Sequence, residues 1–213
     1  MKKNLFICGT GTDVGKTYTT LSLIESLSNL GLKVGIMKPI ETGVKNTPQD
    51  ATILFEKAKK FNPALNDLRL SDICPISFTL PAAPAIAKGA QQIDFDLINK
   101  CHKAVLARCD IVLIEGAGGL LTPIEQNYFM LNLAEMLNSR LLLVSHARLG
   151  CINDIMLNKK VLEPTKLEFL TAINKRIDDL SFDEISLPYL KSELNDLFIL
   201  PNDLDKLAYR IAS

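Results

Sequence analysis

The residues able to do chemistry fall into a few short segments. The first is Gly9-Thr10-Gly11-Thr12-Asp13-Val14-Gly15-Lys16-Thr17, between a short apolar run and a helical stretch. Gly-Lys-Thr at such a junction is the end of a phosphate loop. Its glycines let backbone N–H groups wrap phosphate oxygens, and the helix N-terminus adds favourable partial charge. Lys16 is expected to reach the terminal phosphates of a nucleoside triphosphate, and the Thr17 hydroxyl to bind Mg²⁺. The spelling departs from the usual pattern, because Thr10 stands where the first glycine is expected and Gly9 comes one residue early.

Three further charged residues fit around that loop. Glu115 ends the apolar run Ile111-Val112-Leu113-Ile114 and opens Gly116-Ala117-Gly118-Gly119, read as a Gly-rich turn. A carboxylate at the end of a central strand needs a partner, and glycines let backbone close on a ligand. Asp50, in Thr47-Pro48-Gln49-Asp50, reads by itself as an acid near a helix start, with Thr47 the cap and Pro48 the first residue. With Thr17 and Glu115 it completes a hydroxyl and two carboxylates, the oxygen set that Mg²⁺ takes alongside phosphates and water. Lys38 follows a second apolar run, and Pro39 holds it extended. Lysines are mostly solvated, but a second ammonium facing a γ-phosphate suits transfer of that group to another anion.

The elements that must position these residues are legible as periodicity. Apolar runs of strand length recur at Leu5–Cys8, Val34–Met37, Ile111–Ile114, Leu141–Ser145, Leu167–Ile173 and Leu197–Leu200. Helical spacing separates most of them, most clearly over Lys16–Leu30. There Leu23, Leu27 and Leu30, joined by Tyr18, Leu21 and Ile24, form an apolar face ahead of Gly31. Ile93–Leu106 and Ile152–Leu162 read the same way. The alternation predicts an α/β fold of three layers, a mostly parallel sheet with helices on both faces. Asn62–Gly89, rich in proline, reads as loops and short pieces. In a parallel sheet the strand C-termini open on one edge, where ligands bind, so distant segments converge on one site.

Composition bounds the rest. The 213 residues are 47% hydrophobic, with 24 Lys+Arg against 24 Asp+Glu, which argues against disorder and against a broad basic surface for nucleic acid or membrane. A single P-loop NTPase-like domain over 1–213 is expected. No apolar run is long enough to span a bilayer, and the N-terminal run is about half a signal-peptide core, so a cytoplasmic protein is expected. Cys8, Cys74, Cys101, Cys109 and Cys151 form no C-x-x-C pair and read as reduced, mostly core thiols. His102 and His146 receive no role.

Together these segments resemble dethiobiotin synthetase. The likeness is carried by Gly9–Thr17, Lys38-Pro39, Thr42-Gly43, Asp50-Ala51, Glu115–Gly119 and Leu149-Gly150-Cys151-Ile152-Asn153, in family order, and the displaced glycine is the family's own. It implies an ATP-dependent cyclo-ligase of biotin synthesis that takes 7,8-diaminopelargonate, CO2 and ATP with Mg²⁺. Lys16 and Lys38 would stabilise carbamate and phosphates, and Thr17, Asp50 and Glu115 would hold the metal. Thr42 would contact the reacting end of the diamine. Gly150, Cys151, Ile152 and Asn153, opening a helix, would receive the substrate carboxylate across a homodimer interface. The nucleotide would meet Gly11, Thr12, Asp13, Val14, Gly15, Lys16, Thr17, Asp50, Glu115, Gly116, Ala117 and Gly118. Its base would meet Asn174, Lys175, Ile199, Leu200 and Pro201.

Two departures from the family pattern bear on the base. Lys175 stands where an acidic residue often follows the asparagine, and Asn174-Lys175-Arg176-Ile177-Asp178 is similar to a guanine-reading motif with one residue too many. Twelve residues follow Pro201, a short C-terminal segment. A weaker preference for ATP over GTP or CTP is therefore expected than in longer members. The competing reading is a partitioning or regulatory P-loop ATPase acting as a nucleotide switch. Such proteins often carry a signature lysine at the position of Gly11, which counts against it.

Overall fold

In the computed structural model of the chain, residues 3–175 and 182–213 are described. The strands are β1 (Asn4–Gly9), β2 (Val34–Met37), β3 (Ile40–Thr42), β4 (Ile76–Phe78), β5 (Ile111–Gly119), β6 (Pro123–Glu125), β7 (Tyr128–Phe129), β8 (Arg140–His146), β9 (Phe169–Asn174) and β10 (Leu197–Leu200). The helices are α1 (Lys16–Asn29), α2 (Gln49–Phe61), α3 (Leu70–Ile73), α4 (Pro84–Ala87), α5 (Phe95–Leu106), α6 (Met130–Met136), α7 (Cys151–Leu162), α8 (Leu187–Glu193) and α9 (Leu204–Ala212).

Six strands form one parallel sheet in the order β10-β9-β8-β1-β5-β2. Every residue of β1 and β2 is buried. Since successive side chains point to opposite faces, helices must cover both. After β1 the chain crosses to β2, returns to β5, and then moves to the other side of β1 to form β8. That reversal opens a crevice at the C-terminal end of β1, where ligands of open α/β sheets bind. Two small sheets, β3 with β4 and β6 with β7, lie outside the main one.

The strand readings at Val34–Met37 and Leu197–Leu200 hold to the residue. Asn62–Gly89 contains a 3-10 helix, α3, β4 and α4. Three readings need correction. β5 does not stop before Glu115 but runs on through Gly119, with a shift in its register against β1 between Ile7 and Gly9. Gly116 makes the close approach workable, because a Cβ there would come within 2.7 Å of the Phe6 ring. Tyr18 is not on the buried face of α1, being 46% exposed, while Thr19 and Thr20 face inward and bond to neighbouring strands. Thr47 does not cap α2, which starts after Pro48 without a side-chain cap from its own N-terminal residues.

Candidate functional site

The phosphate loop leaves β1 and turns into α1 at Gly15, whose backbone is left-handed (φ 94°), a conformation that glycine adopts without strain. Gly9 has no room for a side chain: a Cβ would lie 2.6 Å from Gly11 O and 3.0 Å from Lys16 Nζ. Lys16 is buried and folds back to donate to Gly11 O at 2.9 Å. Burial first, and then the charge of Lys38, hold its ammonium below the usual lysine range. The Cys8 thiol behind the loop is pushed up to about 12 by burial, so it stays protonated and inert.

Glu115 is the centre of the site. It is fully buried in β5, and both carboxylate oxygens are engaged. Thr17 Oγ1 donates to Oε1 at 3.0 Å, Lys38 Nζ donates to Oε1 at 2.7 Å, and Thr20 Oγ1 donates to Oε2 at 2.8 Å. Lys38 Nζ also donates to Gly116 O at 3.3 Å and lies 3.4 Å from Asp50 Oδ2. Burial pulls the Lys38 pKa down, but Glu115, Asp50 and Glu41 together outweigh it, so the ammonium is held above the usual range. These groups line a polar cavity of about 400 Å³ with Thr12, Asp13, Thr42 and Ala117.

Among the described residues, no three His, Cys, Asp or Glu side chains are grouped as a metal site. Thr17, Asp50 and Glu115 nevertheless suit a hard cation that phosphate and water would also ligate. The Lys38 ammonium, standing between the two carboxylates, shows that the space there accepts positive charge.

Sequence reasoning missed Thr20 and Glu41. Glu41, buried in β3, accepts from the backbone N–H groups of Asp50 at 3.1 Å and Ala51 at 2.9 Å, capping α2 from outside the helix. Thr20 is legible only as a residue four after Lys16, one turn further along a helix. Also missed was a second cavity of about 410 Å³ between Thr42, Ala117 and Thr122 and the segment Pro81-Ala82-Ala83-Pro84. It shares Thr12, Thr42, Ala117 and Gly118 with the phosphate cavity, so the two adjoin.

The remaining residues lie elsewhere. Asn174 ends β9 and donates to Val14 O at 3.0 Å, Gly15 O at 3.1 Å and Thr19 Oγ1 at 3.0 Å, fastening the loop to the sheet. Its Oδ1 is buried with no hydrogen-bond partner among the described residues, an acceptor beside the phosphate loop. Lys175 pairs with Asp183, and its N–H donates to Leu200 O at 3.0 Å. Ile199 and Leu200 lie on the neighbouring strand β10, with Leu200 opposite Asn174 and Pro201 just beyond it. Residues 176–178 of the guanine-type motif fall outside the described residues. Gly150 (φ 95°) precedes α7, and Cys151, Ile152 and Asn153 form its first turn; none of the four lines the phosphate cavity or the one adjoining it.

A family model described as an AAA domain matches residues 3–186. A protein of Sulfurovum sp. (strain NBC37-1) named ATP-dependent dethiobiotin synthetase BioD is 44% identical over 186 residues, 87% of this chain and 89% of the relative. One of the same name from Wolinella succinogenes is 38% identical over 99% of each chain. Among solved structures, a plasmid partition protein from Borrelia burgdorferi superposes with a TM-score of 0.62 at 15% identity, covering 99% of this chain and 96% of that one. At that identity the likeness shows the fold alone.

Proposed function

The chain belongs to the ATP-dependent dethiobiotin synthetase family, and from that premise we propose how its residues make dethiobiotin. It is a ligase of biotin synthesis that depends on ATP. The substrates are 7,8-diaminopelargonate and CO2, and the products are dethiobiotin, ADP and phosphate. One amine adds to CO2 and loses a proton, giving a carbamate. A carbamate oxygen then takes the γ-phosphoryl group as ADP leaves. The second amine attacks the carbamoyl carbon, expelling inorganic phosphate and losing a proton, and the cyclic urea closes.

The observation that carries this reading is the position of Lys38. Its ammonium shares one cavity with Lys16 and contacts both candidate metal carboxylates. Carbamate and γ-phosphate are both anions, and a hydrolytic switch has no need of a second buried ammonium aimed at an incoming one. Lys16 and the loop N–H groups hold the triphosphate, while Lys38 faces the carbamate. Thr17, Asp50 and Glu115 would hold Mg²⁺, which when bound neutralises the phosphate oxygens. Thr20 orients Glu115 by fixing its second oxygen.

Thr42 lies where the two cavities adjoin. The wall of Pro81–Pro84 suits the hydrocarbon chain of the diamine, with its amines toward Lys38. As the family resemblance implies, we assign the substrate carboxylate to the N–H groups of Gly150–Asn153 of a second copy. A helix start suits an anion, and within one chain none of these four residues lines the phosphate cavity or the one adjoining it. The working form is therefore a homodimer. Among the described residues no helix is long and apolar enough to cross a membrane, and we place the enzyme in the cytoplasm. The switch reading is not favoured.

Phosphate release, followed with and without the diamine and bicarbonate, tests the proposal. Release that requires both supports the ligase chemistry, and release indifferent to both returns the chain to a nucleotide switch.

A further inference from the structure

We propose that Glu41 is a positioning residue: it sets Asp50 at the metal-nucleotide site and thereby tunes how strongly Mg²⁺ strengthens nucleotide binding. The inference rests on the metal role proposed for Asp50. The Asp50 side chain is 44% exposed, and among the described residues its carboxylate pairs only with Lys38, at 3.4 Å. Burial therefore does not fix it, and its placement depends on the backbone that carries it. That backbone is the first turn of α2, where N–H groups have no intrahelical acceptor. The residue before the helix, Pro48, offers no side-chain cap.

Glu41 supplies the missing acceptors from a different element. One carboxylate takes the N–H of Asp50 and the N–H of Ala51, at 3.1 and 2.9 Å. An anion so placed also meets the positive end of the α2 dipole. Because β3 follows Lys38 by two residues, the same short segment carries the ammonium and the group that anchors its carboxylate partner. Glu41 is buried, with an exposure of 7%, and its charge also favours the Lys38 ammonium. The arrangement is that of an outer residue orienting a metal ligand through its backbone.

The test is calorimetric titration of nucleotide with and without Mg²⁺, the quantity of interest being the ratio of the two affinities. Glu41→Gln keeps the shape but turns one acceptor into an N–H donor against the helix start. It is expected to lower the ratio about tenfold, leaving metal-free affinity within about twofold of wild type. Glu41→Asp, which withdraws the carboxylate by one methylene, is expected to lower it similarly and serves if Glu41→Gln does not fold. In an Asp50→Ala background, Glu41→Gln should lower the ratio no further. An unchanged ratio with a reduced melting temperature makes Glu41 only a structural cap and overturns the inference. A further loss on top of Asp50→Ala overturns it as well. If the wild-type protein itself shows no strengthening by Mg²⁺, the metal role of Asp50 has failed instead, and the inference falls with it.

Discussion

Lys38 Nζ sits 2.7 Å from Glu115 Oε1, a buried ammonium against a buried carboxylate at the meeting point of phosphate loop, central strand and α2. Removing one partner of such a pair leaves the other charge without compensation. Thr17 and Thr20 still donate to Glu115, which limits the loss. Lys38→Ala is expected to reduce stability by about 3 kcal/mol in urea unfolding and turnover by at least about a thousandfold. Nucleotide binding, held by Lys16 and the loop, should largely remain. Near-normal turnover would remove Lys38 from the mechanism.

A second prediction concerns acid. His102 is buried, with Nε2 at 2.9 Å from Asn4 Oδ1, and burial followed by the neighbouring Lys103 charge lowers its pKa below the usual 6.5. The unfolded chain therefore takes up a proton that the folded one refuses. The contribution is complete above about pH 6.5 and is lost as pH falls toward the folded pKa, at no more than about 1.4 kcal/mol per unit. Unfolding free energies at pH 7.5 and 5.5 should fall less steeply in His102→Gln than in wild type. Equal slopes would mean that the imidazole protonates freely in the folded state.

The proposed sharing of the substrate carboxylate predicts complementation. Asn153→Glu adds negative charge to the first turn of α7, and Lys38→Ala disables the other half of the site. Each homodimer should be inactive. If the segment acts across the interface, co-expressed chains form heterodimers with one intact site, and activity returns. If it acts within its own chain, mixing restores nothing.

The fourth prediction concerns the nucleobase. Among the described residues at the base end, Asn174 offers one unpartnered acceptor, and Lys175 is already paired with Asp183. One polar reader gives little discrimination, since each good hydrogen bond contributes about 1 kcal/mol. Dissociation constants for ATP, GTP and CTP should fall within about tenfold of one another by titration calorimetry. A preference for ATP of about a hundredfold would refute this.

How much could be read beforehand depended on whether the cause was local. Gly15-Lys16-Thr17 and the β2 and β10 runs were legible because a motif or a run of apolar side chains is its own signal. The roles of Thr20 and Glu41 were not, because each depends on a partner brought by another element. Thr20 by spacing alone resembles any residue one turn into a helix. Glu41 lies nine residues before Asp50, beyond the reach of local capping patterns. By composition Gly116-Ala117-Gly118-Gly119 reads as a turn, whereas the small size of its glycines lets a strand run on close beside β1. The wall at Pro81–Pro84 has no periodicity to announce it.

The extension of β5 past Glu115 has a mechanical consequence. Glu115 is clamped midway along a nine-residue strand and cannot swing to meet an incoming reagent. Thr42, Asp50 and Pro81–Pro84 belong respectively to the small β3–β4 sheet, the start of α2 and the segment leading into α4, none of which is part of the main ladder. The enzyme is thus a fixed floor with an adjustable rim, and any accommodation to a longer or bulkier diamine falls on the rim.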